Sequence, residues 1–180
     1  MIFDYINKAI NRSGGFNVDV QLIAKLIDNM AFKGEYEEAL KTIAEIMQNN
    51  ISVRDLIGAE KMVQVFFLAY LIMSDIFIAK SEAPYGNGYA DIALIPLLSK
   101  YPNIEYAYLI EFKYIKPDTP EKDYKAIEKD AIKNATKQLE RYSQSLQLQK
   151  ELTKTPGTKA KLKKIIAIFQ GSELKYHTEL

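Results

Sequence analysis

The segment LIEFKYI, Leu109 to Ile115, sets a glutamate and a lysine two residues apart in an otherwise apolar run. Side chains of an extended chain alternate between two faces. Leu109, Glu111 and Lys113 therefore share one face, and Ile110, Phe112 and Tyr114 share the other. A second short run, YADIALIP, follows the turn signal PYGNG and sets Asp91, Ala93 and Ile95 on one face. Its glycines let the backbone turn sharply just before Asp91. If the two runs pair as strands, Asp91 comes near Glu111 and Lys113. Two carboxylates held close raise each other's proton affinity. A divalent cation removes that cost, and oxygen ligands of this kind suit Mg²⁺ or Mn²⁺.

Composition narrows the alternatives. The 180 residues include no cysteine, which excludes disulfides, thiolate metal sites and cysteine nucleophiles. The one histidine, His177, lies near the C-terminus and reads as a tail residue, so histidine-rich metal sites and a serine–histidine triad are not expected. Polar chemistry must rest on carboxylates, lysine, tyrosine or glutamine. The net charge of +1 announces no nucleic-acid binder, yet a local patch suffices for one. Thr153 to Lys164, TKTPGTKAKLKK, holds five lysines and no acid and suits a phosphate backbone. The longest apolar run, Val65 to Met73, is too short to span a bilayer. With no signal-peptide pattern at the start, the expected location is the cytoplasm, with no membrane partner.

The elements that must position these residues follow from periodicity. VQLIAKLIDNMAFKG and EYEEALKTIAEIMQNN read as a helical pair over Asp19 to Asn49, and a third helix is expected over Val53 to Met73. IFIAKSEA, YADIALIP and EYAYLIEFKYI read as three strands of a meander. A long helix is expected over Glu121 to Glu151, then a turn at TPGTK and a last strand, KKIIAIFQG. The long helix can cross the sheet and deliver that strand parallel to an earlier one. On the third helix, Glu60 falls in line with Leu56, Val63, Phe67 and Leu71, with Gln64 one turn along. On the long helix, Gln138 falls in the stripe of Tyr124, Ile127, Ala131, Ala135, Tyr142 and Leu146, while Lys125, Lys129, Lys133, Lys137 and Arg141 cover the other side. A polar residue in a buried stripe needs a partner, and a shared site on the sheet would provide one. Plainer readings exist for each residue. Glu111 and Lys113 could be an ion pair at a sheet edge, Asp91 a turn residue, Glu60 a solvated residue at a helix start, Gln138 a tolerated helical glutamine and Glu82 the end of a strand.

In these residues the sequence resembles the PD-(D/E)xK nuclease superfamily. Asp91 in GYAD, then Glu111-Phe112-Lys113, then Gln138 and Tyr142 in QLERY, stand in that family's order. With Ser81-Glu82 and Phe169-Gln170-Gly171 the series is similar to the nuclease-like domain at the C-terminus of certain bacterial AAA-ATPase-like proteins. The resemblance implies an α/β fold with a restriction-endonuclease-like core, a mixed sheet of about four strands flanked by helices. It implies a nuclease-like domain at residues 53–180 behind an N-terminal helical extension at 1–52. It also implies Mg²⁺- or Mn²⁺-dependent phosphodiester hydrolysis of nucleic acid, with DNA as the expected substrate and an ATPase as a neighbour. Asp91 and Glu111 would hold the ion, Glu60 would complete or extend its shell, and Lys113 would orient water or stabilise negative charge. Gln138 would hold Lys113, the water or the phosphate. Two positions depart from the family pattern: Ala90 replaces the proline, and Tyr89 stands where relatives often carry arginine. The alternative function is a catalytically silent nuclease-fold module that binds nucleic acid or protein beside an ATPase.

Overall fold

In the computed structural model, which describes residues 19–50, 59–155 and 158–180, one mixed sheet separates two layers of helices. Helices α1 (Val20–Lys33), α2 (Glu37–Asn50) and α3 (Ala59–Leu71) come first in the chain. Strands β1 (Phe77–Tyr85), β2 (Gly88–Pro96) and β3 (Tyr106–Ile115) follow. Helices α4 (Glu121–Ser143) and α5 (Leu146–Glu151) lead through the short strands β4 (Thr153–Thr155) and β5 (Thr158–Lys159) to β6 (Lys161–Gln170) and β7 (Glu173–Glu179). The expected boundary at residues 52/53, the start of the third helix at Val53 and Leu56 of its stripe lie outside the described residues.

The capping residues explain why α1 stands as a unit. Asp19 accepts hydrogen bonds from the Gln21 and Leu22 amides at 3.0 Å each, and Gly34 ends the helix at φ 76°. Between them Val20, Ile23, Leu26, Ile27, Met30 and Ala31 recur at helical spacing and are all buried. Ala39, Leu40, Ile43, Ala44 and Met47 of α2 join the same core, as do Val63, Phe67 and Leu71 of α3. The other side of that core is one face of the sheet: Ile92, Leu94, Tyr108, Ile110, Phe112, Ile165, Ala167 and Phe169.

Sheet order is β1-β2-β3-β6-β7. The first three strands form the expected antiparallel meander, and α4 carries the chain across to β6, which lies parallel to β3 along its whole length. The β1–β2 turn is made by Gly86 and Asn87 at φ 55° and 60°, the positive values that tight hairpins require. The opposite sheet face, with Ala93, Ile95, Leu109, Ile115, Ile166 and Ile168, packs on Ala135, Leu139 and Tyr142 of α4 and Leu148 of α5.

Three features differ from the sequence-based expectation. The helix expected to run to Glu151 breaks at Ser145, whose backbone is extended, and a six-residue helix resumes beyond it. The break leaves Leu146 exposed, and Ile127 is exposed too, while Leu139, outside the expected stripe, is buried. Strand β7 was not expected at all, because its half-exposed residues follow no clean alternation. It pairs with β6 and so makes His177 part of the sheet, edge-on to the Tyr36 ring at a centroid distance of 6.2 Å.

Candidate active site

Alternation along β3 explains why Phe112 stands between two charged residues. Its ring faces α3 and packs on Phe67 at 5.1 Å and Phe169 at 6.2 Å, while Glu111 lies on the face that carries Leu109 and Ile115 against α4. Alternation along β2 slips at Asp91, since Ala90 and Ala93 both point into the α4-side core. Opposite the slip, Glu82 takes a positive φ of 49°, and the β1–β2 ladder resumes on either side of it. Asp91 therefore does not share a face with Ala93 and Ile95 as expected. It turns toward β3, and its Oδ2 accepts the Phe112 amide at 2.8 Å where the β2–β3 ladder, ending at Ile92 and Ile110, no longer does.

The result is a carboxylate pair in a poorly solvated place. Glu111 is 1% exposed. Its Oε1 accepts from Lys113 Nζ at 2.9 Å, and its Oε2 is buried with no hydrogen-bond partner among the described residues. Burial, and then the charge of Asp91, pushes the Glu111 carboxyl from 4.5 up to about 7 against the pull of Lys113. Burial also raises Asp91, opposed by the Phe112 amide and Lys113. Burial works against the charge on Lys113, yet the carboxylates of Glu111, Glu60 and Asp91 together hold it above the ordinary lysine range. Lys113 is therefore a fixed cation near neutral pH, unsuited to act as a base.

Glu60 lies in the first turn of α3 but is not enclosed with its stripe. Its side chain is 51% exposed, and its Oε1 stands 3.7 Å from Lys113 Nζ. Lys61 is paired with Glu82. Gln138 is half-buried on α4 and donates to the Tyr142 hydroxyl at 3.4 Å, with no hydrogen bond to Asp91, Glu111 or Lys113. The structure thus brings Asp91, Glu111 and Lys113 together, sets Glu60 beside Lys113, and ties Gln138 to Tyr142. Among the described residues no group of three Asp, Glu, His or Cys side chains converges to hold a metal. The donor set on offer is the pair, and Mg²⁺ suits such a set because it keeps several waters and takes one or two carboxylates. The orphaned Glu111 Oε2 fits this assignment: it is a buried acceptor that needs a cation or a proton.

Gln64 has a role that the helical wheel did not assign. It is 3% exposed and donates to the backbone carbonyl of Asp91 and, at 3.2 Å, to Ser81 Oγ. It locks α3 to the slip in β2 and so fixes where Asp91 points. Its place one turn beyond Glu60 in an apolar stripe was the available signal. Gln64→Leu strands a buried carbonyl, so thermal melting should show a loss of about 1–3 kcal/mol.

Of the lysine-rich segment, Lys164 stands opposite Leu109, two residues from Glu111, while Lys161 and Lys163 are engaged nearer the start of β3. Lys161 pairs with Glu105 at 3.4 Å and Lys163 with Glu179, and both stack over Tyr106. Lys161 is opposite Tyr106 at the start of β3, five residues and roughly 17 Å from the register of Glu111. Among the described residues no helix is long and apolar enough to cross a membrane.

Comparison with protein families gives a match over residues 58–179 to a model described as the PD-(D/E)XK nuclease superfamily. Comparison with curated proteins and with solved structures gives no match. The matched span runs from the start of α3 to the end of β7 and holds Glu60, Asp91, Glu111, Lys113 and Gln138.

Proposed function

Because the chain belongs to the PD-(D/E)XK nuclease superfamily, we propose that Asp91, Glu111 and Lys113 form a Mg²⁺- or Mn²⁺-dependent site that hydrolyses phosphodiester bonds of nucleic acid, with DNA as the substrate. The observation that carries this reading is the buried Glu111 carboxylate, one oxygen without a partner, coupled to Asp91 and bound to a charged lysine.

Asp91 and Glu111 would hold the ion between them. When bound, a divalent ion polarises the scissile phosphate and lowers the pKa of a coordinated water. Lys113 is placed to meet the negative charge that develops on the phosphate oxygens, and it needs no proton transfer to do so. Glu60 keeps Lys113 charged and faces solvent, where it can also reach a water of the ion's shell. Gln64 fixes Asp91 from behind. Gln138 acts through Tyr142, which it orients. The placement of DNA as substrate, and of an ATPase beside this domain, rests on the motif series from Ser81-Glu82 to Gly171.

The test is cleavage of plasmid and oligonucleotide DNA with Mg²⁺ or Mn²⁺ by the wild-type chain and by Asp91→Ala. Cleavage by the wild type that needs the divalent ion and disappears in a folded Asp91→Ala chain supports the reading. Cation binding by the wild type with no cleavage of DNA or RNA points instead to a silent nuclease-fold module that binds nucleic acid or protein.

A further inference from the structure

A second lysine stands near Asp91. Lys61 lies in the first turn of α3, three residues before Gln64, so the two share a side of the helix. From that side Gln64 reaches the Ser81 hydroxyl and the Asp91 carbonyl, and Lys61 pairs with Glu82, the residue after Ser81. Glu82 stands across from Asp91, between the paired positions Ser81–Ile92 and Ala83–Ala90. Its φ of 49° suits glycine or asparagine better than glutamate, so the backbone alone does not ask for this side chain. Its carboxylate is used on Lys61. Lys61 also acts on Asp91: burial raises the Asp91 carboxyl, and Lys61 is one of the charges that pull it back down. Around this site Glu60, Glu82, Asp91 and Glu111 outnumber Lys61 and Lys113, so a strand of phosphates needs a cation to approach it. Lys113 is committed, since it is 18% exposed and bonded to Glu111. Lys61 is 53% exposed and Glu82 59%. A pair so open adds little to stability and exchanges partners at small cost.

We infer that Lys61 binds a phosphate of the substrate strand beside the scissile one, and that Glu82 holds the lysine at the mouth of the site until that phosphate takes the carboxylate's place. The inference rests on the nuclease reading for the identity of the ligand, and deepens it by naming a residue that seats the strand. A compact ammonium on a flexible stem can pass from one oxygen anion to another with no movement of its helix. Gln64 ties that turn of α3 to Asp91, so a phosphate on Lys61 is held in register with the carboxylate pair. Such a contact positions the strand and reads no base.

Binding is measured in EDTA, so that cleavage plays no part, by fluorescence anisotropy of a short labelled DNA, single-stranded and duplex, over a range of salt. Lys61→Gln is expected to weaken binding about tenfold and to lower the slope of log affinity on log salt by about 0.7 to 0.9. Lys61→Arg should keep the wild-type slope. Glu82→Gln breaks the same ion pair but frees the lysine, so it should tighten binding about two- to fivefold. In the Lys61→Gln background Glu82→Gln should add nothing. A purely structural ion pair would instead make both single variants weaken binding alike, which overturns the proposal. An unchanged salt slope in Lys61→Gln overturns it too, as does a gain from Glu82→Gln that persists without Lys61, or a wild-type chain that binds no DNA. A wild-type chain that cleaves while Lys61→Gln binds normally sinks the role of Lys61 alone. A chain that binds DNA through Lys61 but never cleaves with Mg²⁺ or Mn²⁺ sinks the nuclease reading alone.

Discussion

Lys113→Met is expected to lower the rate of phosphodiester cleavage about 10²- to 10³-fold, the usual cost of losing a donor aimed at developing negative charge. Cation affinity should hold or rise in the same variant. In the wild type Lys113 occupies Glu111 Oε1, so removing it frees that oxygen for a metal. The stranded Glu111 need not unfold the chain, because a carboxyl already pushed up to about 7 can take a proton in place of its lysine. Parallel kinetics and calorimetric Mn²⁺ titration separate the two effects. A rate within a few-fold of wild type would remove Lys113 from the chemistry, and a joint loss of rate and cation binding would make it a structural residue of the pair.

The second large effect concerns stability and pH. Folded Glu111 titrates near 7 against an ordinary 4.5, so between these values the folded chain holds a proton that the unfolded chain has released. Its contribution is therefore full below about 4.5 and is lost as pH rises through about 7. Asp91 shifts in the same direction and adds to the trend. For Glu111 the shift corresponds to about 3 kcal/mol, a large part of a domain's net stability. In EDTA the wild type should thus melt at a higher temperature near pH 5 than near pH 8. Glu111→Gln, neutral at every pH, should flatten most of that difference. Added Mn²⁺ should recover stability at pH 8 in the wild type, since binding to the folded state alone stabilises it, and not in Glu111→Gln. A wild-type melting temperature that climbs from pH 5 to pH 8 in EDTA would show that Glu111 is not held in a proton-seeking state.

The charged pair in LIEFKYI was legible because a strand has a period of two: Phe112 had to face away from Glu111 and Lys113, and it does. The meander and the parallel return of β6 were legible from the order of the elements and the length of the crossover. Asp91 was found for a partly wrong reason. Strict alternation put it beside Ala93, whereas the side-chain alternation of β2 breaks at Asp91 opposite Glu82, with the β1–β2 register unchanged on either side, and turns Asp91 onto β3; such a local break depends on pairing that periodicity does not encode. Glu60 followed the helical wheel in angle but not in depth, because a wheel carries no information on where a helix end leaves the core. The break at Ser145 lacked a glycine or proline to announce it. Strand β7 hides its period because its pairing with β6 shifts register between Ile168 and Phe169, which interrupts the alternation of its half-exposed residues.

Direct titration of Mn²⁺ into the folded wild-type and Asp91→Ala chains, followed by calorimetry near neutral pH, tests the central claim that Asp91 and Glu111 form a divalent-cation site. The wild type should bind saturably and release protons as Glu111 gives up its own, and Asp91→Ala should lose the binding. A folded wild-type chain that binds no Mn²⁺, or an Asp91→Ala chain that binds it equally well, would contradict the account.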